Sequence, residues 1–173
     1  YIELKKYDEA EKELLTEQKI NKDYKTLHRE MAIIYKQKGD FEKQEQELKK
    51  ELEIFPCANT LNDLGEFYFL KQDNNKAEEF FKKAIELEPK NEVCWYNLSY
   101  LYWRDNKFDI AIEMAEKILA FNPNYEPIKE HLVEIYTSKG TLSRLNEKYQ
   151  ESEINFKKSL EYTNQPIPIY ERL

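Results

Sequence analysis

Two stretches of the chain repeat one another at a spacing of 34 residues, and no other feature limits the fold as much. Leu61, Leu64, Gly65 and Tyr68, followed by Ala77, Phe81, Ala84 and Pro89, recur as Trp95, Leu98, Ser99 and Tyr102, followed by Ala111, Ala115, Ile118 and Pro123. An earlier copy runs through His28, Met31, Ala32, Tyr35, Gly39, Asp40, Gln44, Leu48 and Pro56, with a slightly shorter final loop. A fixed period of this length marks stacked supersecondary units, each too small to bury its apolar face alone.

The spacing inside each unit predicts helices. Residues 61, 64, 65 and 68 fall on one face of a helix, and Ala77, Phe81 and Ala84 repeat that spacing on the next. Two helices joined by a short turn need small residues where their ridges cross, which accounts for Gly65, Ser99, Ala77 and Ala111. Pro56, Pro89 and Pro123 stop each second helix, while Asp40 and Asp73 sit in the turn within each pair.

This arrangement resembles the tetratricopeptide repeat (TPR), a helix–turn–helix unit of 34 residues. Residues 58–91 match its profile at Leu64, Gly65, Tyr68, Ala77, Phe81, Ala84 and Pro89. Residues 92–125 match at Trp95, Leu98, Ser99, Tyr102, Ala111 and Pro123, with Ala115 where an aromatic is usual. The copy at 25–57 is weaker, carrying Gln44 and Glu51 where alanine is usual. The resemblance implies an all-α, right-handed superhelical solenoid of antiparallel helix pairs over one domain, residues 1–173.

Both ends depart from whole repeats. Tyr7, Asp8, Glu9, Ala10 and Leu14 match a second helix, so residues 1–24 read as a half repeat. At 126–166, Leu132, Val133 and Tyr136 fit a first helix and Gly140 the turn. Tyr149, Ser152, Phe156 and Ser159 then fit a second helix only after an insertion of about seven residues, 141–147. The insertion reads either as a longer antiparallel pair or as a ledge for a partner. Residues 167–173 begin another unit, with Tyr170 and Leu173 on its packed face and Pro166 and Pro168 leading into it. The ends predict a window cut from a longer array, the alternative being a short protein with atypical caps.

The first helices of this family line a concave groove, and the resemblance puts Asn62, Phe69, Leu70, Tyr96, Asn97, Tyr100, Trp103, Arg104 and His131 there. Tyr96, Tyr100 and Trp103 share one face of a helix, opposite Trp95, Leu98 and Tyr102, and Tyr and Trp are frequent anchors of recognition surfaces. They either present that face to a peptide or pack against neighbouring first helices. Asp63, Glu66, Glu130 and Glu134 flank them and favour a partner with basic and apolar side chains. The family's clamp for a chaperone's C-terminal carboxylate is not expected. The positions of that clamp's lysines, arginine and asparagines fall on Arg29, Ile33, Asp63, Val93 and Asn97 in one register and on Asn62, Glu66, Asn97, Pro127 and His131 in the other, and neither set is a cationic clamp.

Composition narrows the function further. The 27 Lys and Arg against 34 Asp and Glu leave a net charge of −7, with no basic face for nucleic acid. No apolar run reaches a membrane span, and no signal peptide or initiator Met begins the chain. Cys57 and Cys94 suggest a reducing, cytoplasmic setting, and no phosphate loop, metal-ligand spacing or catalytic set appears. The sequence therefore predicts a non-enzymatic protein–protein interaction scaffold without cofactor or metal, binding a protein or peptide. The alternatives are the substrate-recognition arm of a larger enzyme or regulator, or a self-assembly module.

Overall fold

Among the described residues, four tight turns between helices are built the same way. At Gly39, Gln72, Asn106 and Glu147 the backbone φ is positive, between 58° and 73°. The next amide in each turn, from Asp40, Asp73, Lys107 or Lys148, donates back to the carbonyl of Tyr35, Tyr68, Tyr102 or Ser143 at 2.9–3.0 Å. This is the Schellman closure, which satisfies carbonyls that a helix end leaves open. The amide-donating residue is also where the following helix starts, so two helices fold back on one another across a few residues.

A computed structural model describes residues 2–20 and 27–163. Among these residues all regular structure is helical: α1 (Ile2–Ile20), α2 (Leu27–Lys38), α3 (Phe41–Ile54), α4 (Ala58–Leu70), α5 (Asn74–Leu87), α6 (Glu92–Arg104), α7 (Phe108–Phe121), α8 (Glu126–Leu145) and α9 (Tyr149–Glu161). The helices pair as α2/α3, α4/α5, α6/α7 and α8/α9. The chain divides into two compact units, with the break between Leu87 and Glu88. The expected start of a further repeat at 167–173 lies outside the described residues.

In the first unit α1 packs on α2, where Leu14 meets the cluster of Leu27, Met31 and Tyr35. Glu11 accepts hydrogen bonds from the Tyr35 hydroxyl at 2.8 Å and from Lys38 Nζ at 2.7 Å. Burial, reinforced by the Glu11 carboxylate, pushes the Tyr35 phenol up to about 12. The α4/α5 pair closes on Leu64, Phe67, Ala77, Phe81 and Ala84, all buried. At Gly65 an added Cβ would lie 2.5 Å from the Phe81 ring, so only glycine lets the ring approach. Gln44 and Glu51, the departures from the repeat profile on α3, are buried all the same.

In the second unit Ser99 takes the place of Gly65, and its hydroxyl donates to the Ala111 carbonyl across the pair at 2.8 Å. The last pair differs from its expected register. Gly140 is not in the turn. It lies inside α8 with ordinary helical φ, where an added Cβ would stand 3.0 Å from the Phe156 ring. Ser152 donates to the Gly140 carbonyl at 2.8 Å, and the turn itself falls at Glu147. The additional length lies in α8, one continuous helix of 20 residues. Seven residues make about two helical turns, so such an extension returns the apolar stripe to nearly the same face. Within α8, Ile128, Leu132 and Ile135 are buried in its first half, and Gly140 and Ser143 in its second.

The second helices start unequally. Asp40 and Asp73 accept from the Lys43 and Lys76 amides at 3.2 Å, the usual N-cap bond. At the start of α9 Lys148 has no capping side-chain bond, although its φ and ψ of −88° and 64° nearly match the −86° and 76° of Asp40. Lys148→Ser would place a hydroxyl at this position three residues before Glu151, which completes a capping box. The expected gain is about 1 kcal/mol. It is read as a higher midpoint in urea unfolding, and an unchanged or lower midpoint would contradict it.

Candidate partner-binding face

In the first unit the face shared by α2 and α4 is a ladder of paired charges. Arg29 Nε donates to Asp63 Oδ2 at 2.6 Å, and Lys36 Nζ reaches Glu66 Oε2 at 3.2 Å. Burial raises the Asp63 pKa against the pull of Arg29, whose own pKa is raised by that hydrogen bond. These pairs are partly exposed and worth at most about 1 kcal/mol each. Their larger effect is on charge, because Asp63 and Glu66, two of the four carboxylates expected to attract a basic partner, already face a cation of the same chain. Asn62 does not offer its side chain to a partner: it is 5% exposed and donates to Glu66 Oε1 at 3.2 Å. Phe69 is half-buried, and Leu70 is open at 56% exposure.

The second unit carries a different surface. One side of α6 sends Cys94, Leu98, Ser99, Leu101 and Tyr102 into the core. The other side bears Tyr96, Tyr100 and Trp103, each half-buried. Their rings gather around His131 of α8, with centroid distances of 5.0 Å for Tyr96, 5.8 Å for Tyr100 and 5.6 Å for Trp103. Tyr100 and Trp103 also touch each other at 5.2 Å, and the Trp103 indole donates to Ser138 Oγ at 3.1 Å. The aromatics thus both pack against the neighbouring first helix and keep part of their surface in solvent. Asn97 beside them is half-buried and Arg104 at the end of the helix is exposed.

His131 is the main departure from the expected face. It is 1% exposed, so it lies behind the aromatic wall and not on it. Its position shares a helical face with Ile128, Leu132 and Ile135, all buried, and that spacing is visible in the sequence. The ring Nδ1 lies 3.3 Å from Glu134 Oε2, whereas Nε2 has no hydrogen-bond partner. Burial lowers the His131 pKa, opposed by Glu134. The same burial, with Glu134 and Tyr100 nearby, raises the pKa of Tyr96. Glu130 and Glu134 are exposed at the edge of this wall. Ser138, which fixes the indole, carries no sequence signal of that role. Among the described residues no helix is long and apolar enough to cross a membrane.

Residues 56–124 match the tetratricopeptide repeat model. Among curated relatives, BBSome complex member BBS4 of Bos taurus is 31% identical over 108 residues, covering 62% of this chain and 21% of that protein. Anaphase-promoting complex subunit CDC16 of Saccharomyces cerevisiae is 34% identical over 104 residues, 55% of this chain and 12% of its own length. The chain therefore spans about a fifth or less of these relatives. The solved structure of MamA superposes with a TM-score of 0.67 at 22% identity, over 90% of this chain and 88% of MamA. YrrB, described as a TPR protein with an unusual peptide-binding site, gives 0.66 at 11% identity, over 99% and 86%. Over its central repeats the chain matches the tetratricopeptide repeat family, and its helix pairs share the fold of solved structures of that kind.

Proposed function

We propose that the second unit binds a peptide segment of a protein partner on the face formed by Tyr96, Asn97, Tyr100 and Trp103, as a non-catalytic interaction scaffold. The observation that carries this reading is the difference between the two units. In the first unit the corresponding face is occupied by the ion pairs Arg29–Asp63 and Lys36–Glu66. In the second it is a cluster of large, partly exposed aromatic rings with one indole held by Ser138. Rings fixed in place lose little entropy on binding and still bury apolar area, which is why such residues dominate binding energies. Glu130 and Glu134 beside the wall favour Lys or Arg next to apolar side chains. Peptide binding is also the property ascribed to YrrB, and both curated relatives described above are subunits of multi-protein complexes.

A selection of random peptides against the chain tests this, run in parallel with Tyr100→Ala and Trp103→Ala variants shown by circular dichroism to be folded. The wild type is expected to enrich peptides with basic and apolar residues. Each variant is expected to bind them more weakly by about 2 kcal/mol, roughly 30-fold. Equal binding by folded variants would remove the aromatic wall from consideration. The greater length of the relatives supports a second reading, in which this face is the recognition arm of a larger protein.

A further inference from the structure

We infer that His131 is a positioning residue for the aromatic wall, and that its neutral imidazole holds Tyr96, Tyr100 and Trp103 in place only until acid protonates it. The inference rests on the peptide-binding reading for its functional meaning, but its structural basis is independent. The imidazole is almost wholly buried and fills the space among three rings that together make up the wall. The place where an inserted ligand group would meet all three rings is already taken by the chain's own side chain. The wall's geometry is therefore set from behind by one titratable group.

The surroundings of the ring decide the effect of a proton. On its own helix Glu134 lies beside Nδ1 and favours the imidazolium. From α6 come the phenols of Tyr96 and Tyr100, and the backbone at Ser99, which also favours the charged form. From α7, Asp109 meets α8 at Lys139, about two turns farther along, and from α9 Lys158 and Tyr162 meet Tyr136. Against these stands desolvation, the largest influence, which disfavours the charged ring. The folded state therefore holds its proton less well than the unfolded chain. Stability is fully present above the ordinary histidine value near 6.5 and falls as pH drops through the depressed folded value. The part of the fold that loses it is the packing of α6 on α8, which carries the wall.

Trp103 provides the readout, because an imidazolium at this distance quenches an indole. In a Trp95→Phe background Trp103 is the remaining tryptophan, and no peptide need be present. Its emission is expected to change with a midpoint below about 6.5. The change should disappear in His131→Phe and in His131→Gln, and persist in His28→Gln, which removes the other histidine. Proton NMR of the wild-type imidazoles gives the same midpoint without relying on a variant that folds. A flat emission profile, a midpoint at or above 6.5, or a step that survives loss of His131 would overturn the inference. A failed peptide selection would not, since the titration is read without peptide. A flat titration in turn leaves the binding face untouched.

Discussion

Phe81→Ala is expected to lower the stability of the first unit by about 3–5 kcal/mol, the usual cost of emptying an aromatic site in a packed core. The ring is 2% exposed and lies against the bare Cα of Gly65, in a layer with Leu64, Phe67, Ala77 and Ala84. Two helices joined by a tight turn cannot move together to refill that volume, because the Asp73 amide bonded to the Tyr68 carbonyl fixes their start. The loss is a large share of what a domain of this size possesses. Urea unfolding measures it as a lower midpoint with the slope retained. A change below about 1 kcal/mol would mean that the pair relaxes around the cavity, and that the ring matters less than its burial suggests.

The same pair explains how far the sequence could be read. Helix positions were legible because buried residues recur on one face: Leu61, Leu64, Gly65 and Tyr68 are all in the core, as the spacing requires. The turns were less legible. A positive φ usually announces itself as glycine, and here Gly39 does so, but Gln72, Asn106 and Glu147 adopt the same conformation. With no glycine at 147, the sequence points to the glycine at 140 as the turn, although its small size serves the approach of Phe156 inside α8. The candidate face was half legible. The spacing of Tyr96, Tyr100 and Trp103 identified a second apolar side of α6. It did not reveal that His131 would occupy the space among them, because that contact joins residues from different helix pairs. Charge was the least legible feature: Asp63 and Glu66 count as acidic in composition, and only the fold pairs them with Arg29 and Lys36.

Gly65→Ala should destabilise the first unit by about 1–2 kcal/mol, whereas Gly140→Ala should leave the second within about 1 kcal/mol of wild type. Alanine improves helix propensity by about 1 kcal/mol at either site, so the difference comes from the ring opposite. At Gly65 the new methyl would lie 2.5 Å from a ring held in the core, and the ring must shift or the helices separate. At Gly140 the distances to Phe156 are 3.0–3.2 Å and that ring is only half-buried, so a small movement suffices. The other repeats show how the chain accommodates a larger residue at this site. Ala32 is followed 16 residues later by Leu48 and Ser99 by Ala115, while both glycines are followed at the same interval by phenylalanine. A bulkier residue on the first helix goes with a smaller one on the second, because the two share one volume between the helix axes. Gly65→Ala combined with Phe81→Leu reproduces the Ala32–Leu48 combination and should be more stable than the sum of the single changes predicts. A double-mutant cycle in urea measures this coupling. Strict additivity would mean that the two side chains do not compete for space, and that Gly65 is present for some reason other than the approach of Phe81.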